Sequence, residues 1–406
     1  MKKNCIVAQS GGPTAAINAS LAGVIAGVIS SNQYETLYGS IHGIQGVLKK
    51  NFLDLSSCTP DFIQCLKHTP AMYLGSCRFK LPAMTEDTAT YERIFSVFDE
   101  MNIGAFFYIG GNDSMDTVDK LAAYATAAGR DIKIAGIPKT IDNDLVETDH
   151  TPGFGSAAKY VASSIREIAY DTYIYDLSSV TIVEVMGRDA GWLTAASALA
   201  RTEGNPAPHL IYLPEVNFDP QSFILDLKQT LRQYQNVIIA VSEGIHDKDG
   251  NYMSATSAAD DKFGHAQLSG AGKYLEYLVK DQLGIKVRSV EINVLQRCAG
   301  HMTSLTDLDE AFSLGQKAVS LTEQGDTGFM TTLVRTGDNP YTCSVSSAPV
   351  SMIANKAKSV PREWINAAGN DVTREMTDYL APLIIGESTP VFKDGVVDYL
   401  PVGHLI

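Results

Sequence analysis

The 406-residue chain is 45% apolar and only 19% charged, so it has ample surface to bury and is no disordered polymer. Its length exceeds one ordinary core and predicts two domains. Lys and Arg number 32 against 46 Asp and Glu, a net charge of −14 that argues against general binding of nucleic acid or anionic membrane.

Any anion bound here must meet basic residues gathered locally. The cysteines at 5, 58, 65, 77, 298 and 343 form no C-x-x-C pair and no zinc spacing, and read as reduced thiols of a cytosolic protein. The first residues lack a signal-peptide pattern, and the apolar stretch 21–29 is too short to span a bilayer, which needs about 20 residues. A cytoplasmic protein is expected.

Residues 4–8 read as a strand, followed by the turn Ser10-Gly11-Gly12-Pro13-Thr14 and a helix over about 15–29. Residues 105–109 predict a strand running into Gly110-Gly111-Asn112-Asp113-Ser114. Behind it Val118, Leu121, Ala122 and Ala125 mark one helix face. Residues 133–137 form a third strand, ending in Pro138-Lys139-Thr140-Ile141-Asp142-Asn143-Asp144. A helix follows, lined by Ala158, Val161, Ile165 and Ile168. Strands at 180–185 and 237–241 end in Met186-Gly187-Arg188-Asp189 and Ser242-Glu243-Gly244. Residues 273–283 predict a helix and 287–295 a strand; 364–385 reads as mainly helical, interrupted at Gly369-Asn370. A short strand pair is expected around Lys393-Asp394-Gly395. This alternation argues for α/β architecture with parallel strands.

Ligands of open α/β sheets sit at the carboxyl ends of strands. Paired glycines there let the backbone approach a phosphate, whose charge a helix N-terminus favours. Each pair also makes an ordinary tight turn. Thr140 to Asp144 is more telling. Phosphoryl transfer to an alcohol needs a base near the hydroxyl and a cation for phosphate charge, and Asp142 and Asp144 can divide those tasks. The alternative is an Asx-turn. Arg188 can clamp a phosphoryl oxygen with its planar fork, and Arg288 with Arg297 can serve a second anionic group. Each is otherwise a solvated turn or strand-end residue. Glu243 can accept from sugar hydroxyls or cap a helix.

Together these segments resemble the phosphofructokinase superfamily. The matches are SGGPTAAIN, LGSCRF, GGNDSMDT, PKTIDND, TPGFGSAAKY, VEVMGRDAG, Glu243 and VLQR, in the family's order over roughly residues 5–315. The resemblance implies two Rossmann-like three-layer α/β domains with mainly parallel sheets, facing across a cleft, plus a C-terminal helical extension. A phosphate-donor domain would comprise 1–150 with about 298–355. A sugar-phosphate domain would comprise 151–297 with part of the C-terminal region, and 356–406 would add helices and a strand pair. The implied reaction transfers a phosphoryl group to the 1-hydroxyl of fructose 6-phosphate. Asp142 would be the base, and Arg188 and Thr140 would steady the transferring phosphoryl group. Gly11, Gly12, Arg78 and Gly111 would hold the donor. Met186, Gly187, Arg188, Glu243, Arg288 and Arg297, with Thr140 and Asp142, would hold the sugar phosphate. Asn112 and Asp144 would lie near Mg²⁺.

Asp113 and Lys139 stand where ATP-using relatives carry glycine, and this pair resembles the pyrophosphate-dependent branch. A carboxylate at 113 occupies the place of a nucleotide α-phosphate and repels it, while Lys139 attracts the remaining two phosphates. The expected partners are thus pyrophosphate and fructose 6-phosphate, with a homodimer or higher homo-oligomer. The rivals are an ATP-dependent phosphofructokinase, against which Asp113 and Lys139 argue, and a non-catalytic sugar-phosphate-binding subunit, against which Lys139, Asp142 and Arg188 together argue. No G-x-G-x-x-G follows the first strand, which argues against a dinucleotide-binding oxidoreductase.

Overall fold

The computed structural model describes residues 2–405 apart from Arg78, Tyr175, and residues 255–258, 261–265, 268 and 269. The chain divides into two units. One comprises Met1–Ser156, Arg297–Ala357 and Ile385–Ile406; the other comprises Ala157–Gln296 and Lys358–Ile384.

The first unit is built on a seven-stranded sheet in the order Tyr341–Pro349, Phe329–Asp338, Lys133–Pro138, Ile103–Gly110, Asn4–Gln9, Leu37–Ser40, Phe52–Asp54. Its five inner strands run parallel, and an antiparallel strand closes each edge. The three central strands, Asn4–Gln9, Ile103–Gly110 and Lys133–Pro138, are mainly apolar and almost wholly buried because both faces are covered. Along Asn4–Gln9, Cys5 and Val7 point into one core, while Ile6 and Ala8 point into another. Ala105, Phe107 and Ile109 alternate with Phe106 and Tyr108 in the same way. Helices Ile17–Ser31 and Leu305–Glu323 contribute to the first core, and Thr88–Glu100 and Asn112–Ala127 to the second. The three layers follow from that alternation.

The second unit carries a four-stranded, all-parallel sheet in the order Lys286–Glu291, Ser179–Val185, Asn236–Ser242, Leu210–Tyr212. Helices Pro220–Thr230 and Ala271–Leu283 supply Phe223, Leu227, Leu275 and Val279 to its core. The α/β class with mainly parallel sheets therefore holds in both units.

Two local expectations change and a third is met. The strand expected to reach residue 295 stops at Glu291, because Asn293 turns left-handed at φ 46° and Leu295–Cys298 winds into a helical turn. The stretch 364–385 is helical only from Arg374; before that Ile365 bridges Val372 around Gly369. The terminal pair is present as Phe392–Lys393 against Val396–Val397, turning through Asp394 and Gly395, both at positive φ. No helix among the described residues is long and apolar enough to cross a membrane.

Candidate active site

In the first unit, three loops leave the carboxyl ends of three adjacent strands. The register sets them side by side, with Gln9 opposite Ile109 and Gly110 opposite Pro138. The first loop turns at Gly11, whose φ of 81° is strained for any side chain. The Gly11 carbonyl accepts from the Ser76 hydroxyl at 2.7 Å, and the Ser10 hydroxyl donates to the Cys77 carbonyl at 3.3 Å. The LGSC segment is thereby bonded to the glycine turn, a role for Ser76 that the sequence did not announce. Arg78 itself lies outside the described residues.

At the second loop, Gly111 caps the helix Asn112–Ala127, and Asp113 sits exposed in its first turn. The carboxylate answers the positive end of the helix dipole. Asn112, expected near a metal, is engaged elsewhere. Its carboxamide oxygen accepts from Asn355 N at 2.7 Å and its nitrogen donates to the Lys356 carbonyl at 2.7 Å.

The third loop brings the chemistry together. Lys139 is only 2% exposed, and its Nζ donates to the Gly12 carbonyl at 2.7 Å. A methyl group placed on Gly11 would lie 3.1 Å from that Nζ, and one on Gly12 would lie 3.3 Å from Arg297 Nη1. Two cations thus flank the glycine pair. Burial pulls the Lys139 ammonium down from its ordinary 10.5 to about 8; Asp142 and Asp144 oppose that shift and Arg297 adds to it. Such a cation gains most from an incoming anion.

Asp142 is held by Thr140, whose hydroxyl accepts from Asp142 N at 3.1 Å and donates to Asp142 Oδ2 at 3.3 Å. Asn143 is structural. It is fully buried at φ 54°, and its Oδ1 accepts from Thr151 N at 3.1 Å. The Thr151 hydroxyl donates to the Thr140 carbonyl at 2.8 Å, and Thr140 N donates to the Pro152 carbonyl at 3.2 Å. Buried Asp307 anchors this brace by accepting from Gly153 N and Ser156 N at 2.8 and 2.9 Å. In sequence Thr151 opens the TPGFGSAAKY match without a role of its own and Asp307 does not stand out, because their partners are set by the fold and not by spacing.

In the second unit, Met186, Gly187 and Arg188 follow one strand and Glu243 follows its neighbour. Glu243 N donates to the Val185 carbonyl at 3.0 Å, and Gly187 N donates to Glu243 Oε1 at 3.3 Å. The Ser242 hydroxyl also donates to the Gly187 carbonyl. Met186 N donates to Gln296 Oε1 at 3.3 Å. The Nε of Arg188 is buried without a hydrogen-bond partner among the described residues. A buried, unsatisfied donor at a strand end is a place for an anionic ligand.

The expected pair Arg288 and Arg297 is split. Arg297 belongs to the first unit, beside Gly12. Arg288 faces Thr181, Thr172 and Asp171 near the beginning of its strand and of the adjoining strand. Thr181 is four residues before Val185, about 13 Å along a strand, so Arg288 is not gathered with Gly187 and Glu243 within this unit. Among the described residues, no three His, Cys, Asp or Glu side chains cluster as a self-sufficient metal site.

A family model described as Phosphofructokinase matches residues 4–322. A Methylococcus capsulatus protein named pyrophosphate–fructose 6-phosphate 1-phosphotransferase is 40% identical over 404 residues, covering 98% of this chain and 95% of its own. A protein of the same name from Halomonas elongata is 41% identical over 397 residues, covering 97% and 94%. The crystal structure of a pyrophosphate-dependent phosphofructokinase from Nitrosospira multiformis superposes with a TM-score of 0.90 at 37% identity, covering 98% of this chain and 96% of that one. With the family model matching residues 4–322 and these relatives alike over nearly the whole chain, the chain belongs to the phosphofructokinase family.

Proposed function

We infer that this chain is an enzyme transferring a phosphoryl group from pyrophosphate to the 1-hydroxyl of fructose 6-phosphate, giving fructose 1,6-bisphosphate and phosphate. The observation that carries the donor assignment is Lys139, a buried cation bonded to Gly12 O, with Asp113 at the head of the neighbouring helix. Lys139 and Arg297 would draw the two phosphates onto the Gly11–Gly12 turn. Asp113 would repel the further phosphate of a nucleotide.

In the transfer, the sugar hydroxyl oxygen bonds to one phosphorus of pyrophosphate and the bridging P–O bond breaks. The hydroxyl proton passes to the Asp142 carboxylate, which Thr140 aims, and inorganic phosphate leaves. Arg188 would clamp the moving phosphoryl group. Met186, Gly187 and Glu243 would meet the sugar phosphate. The same residues serve the reverse reaction.

The donor set near Lys139 fits Mg²⁺, which is commonly held by one or two carboxylates together with substrate phosphates. Asp144 would hold it alone, since Asn112 is bonded to backbone. The ion would supply neutralisation of phosphate charge. A homodimer or larger homo-oligomer belongs to the same reading, supported by apolar surface at Tyr170 and Ile174, which are 71% and 66% exposed; light scattering tests it. A cytoplasmic location is also part of it.

The test is direct. Purified protein with fructose 6-phosphate, Mg²⁺ and pyrophosphate should yield fructose 1,6-bisphosphate and phosphate in equal amounts. Absence of both products would sink the reading.

A further inference from the structure

His150 is buried, at 2% exposure, and both its ring nitrogens face carboxylates. Nδ1 is 2.8 Å from Asp149 Oδ2, and Nε2 is 2.6 Å from Glu310 Oε2. A neutral imidazole has one N–H and would turn a lone pair on the other carboxylate. Only the imidazolium satisfies both.

The carboxylates are held in turn. Arg335 donates from Nε and Nη2 to Asp149 Oδ2 at 3.2 and 3.1 Å, and the Tyr341 hydroxyl donates to Glu310 Oε1 at 2.7 Å. The groups around His150 are therefore Asp149 beside it in sequence, Glu310 and Asp307 from the helix Leu305–Glu323, and Arg335, Tyr341 and Cys343 from the edge hairpin, with Asp338 behind Arg335. With His150 charged, Asp149, Glu310, His150 and Arg335 sum to zero. Burial opposes the ring's charge, but the hydrogen bonds and charges of Asp149 and Glu310 outweigh it and lift the pKa above the ordinary 6.5.

The next residue is Thr151, which grips the Thr140 carbonyl and Asn143 Oδ1. Asp149 N is fixed in addition to the Leu333 carbonyl at 2.9 Å. We propose that His150 is a positioning residue for the transfer inferred above: as an imidazolium clamped between Asp149 and Glu310, it fixes the segment through which Thr151 holds the Thr140–Asp142 loop in place. The kinetic part of this proposal rests on that reaction. Loss of the proton leaves one carboxylate facing a lone pair, and the loop carrying Asp142 loosens. A folded pKa above the unfolded one means the stabilisation is complete below about 6.5 and is lost as pH rises through the folded value.

The experiment compares wild type, His150→Gln and Glu310→Gln by kinetics across pH and by hydrogen exchange of the 140–151 peptide, corrected for intrinsic rate. His150→Gln should lower kcat about tenfold or more while both KM values stay within about twofold, the mark of lost alignment at the reacting centre. Glu310→Gln keeps an acceptor without the charge, so it should retain more activity and move the alkaline limb of kcat to lower pH. Exchange at 140–151 should rise in His150→Gln, and in wild type as pH passes the limb. Unchanged kcat in His150→Gln, or an unmoved limb in Glu310→Gln, would overturn the proposal. If wild type makes no fructose 1,6-bisphosphate, the reaction is wrong, and exchange still decides His150: protection lost in His150→Gln supports its hold on the loop, and unchanged protection refutes it.

Discussion

Lys139 carries an ammonium that burial holds at about 8 instead of 10.5. Between those values the unfolded chain binds more protons than the folded one. The buried charge is therefore a cost below about 8, and stability rises with pH through that window as the cost is relieved. Binding of pyrophosphate needs the charged form. We predict that kcat/KM for pyrophosphate falls as pH rises past about 8, and that Lys139→Arg, always charged, flattens the fall. Parallel profiles in the two proteins would refute it. At the neighbouring loop, Asp142→Asn should lower kcat by about 10²–10⁴, the usual worth of a general base, while the melting temperature stays within about 2 °C. Near-normal turnover would remove Asp142 as the base. These two residues were legible because their types follow a buried strand in a tight run. Arg297 beside Gly12 and Asn112 against Asn355 were not, since each partner is more than 200 residues away and only the fold brings it near.

Among the elements, the helices Ile17–Ser31 and Leu305–Glu323 approach each other through glycines. A methyl group on Gly315 would lie 2.2 Å from the Ser20 carbonyl oxygen, and one on Gly23 would lie 2.0 Å from that of Phe312. Backbone cannot yield as a flexible side chain can. Gly315→Ala should therefore cost about 1–3 kcal/mol of stability, read as a lowered urea midpoint at unchanged slope. An unchanged midpoint would contradict the contact. The strands 4–8, 105–109, 133–137, 180–185 and 237–241 were legible as apolar runs, and each lies within an observed strand. The helix Leu305–Glu323 was not recognised, and 287–295 ran too far. Asn293 ends that strand by a left-handed turn, a conformation asparagine tolerates, but the apolar Val294 and Leu295 beyond it prolong the strand pattern in sequence.

For the whole molecule, the net charge of −14 sets the problem that the donor site must solve. Lys139 and Arg297 gather positive charge at one glycine turn, and Asp113 sets a negative charge at the head of the neighbouring helix. Selectivity for the donor is the central claim, and it is a ratio. The decisive measurement is kcat/KM for pyrophosphate and for ATP, with fructose 6-phosphate and Mg²⁺ saturating, in wild type and in the Asp113→Gly/Lys139→Gly double variant. Wild type should use pyrophosphate and show no turnover with ATP above background, while the double variant should lose pyrophosphate turnover and bind ATP more tightly. Turnover of wild type with ATP alone, or a double variant with unchanged preference, would contradict the account.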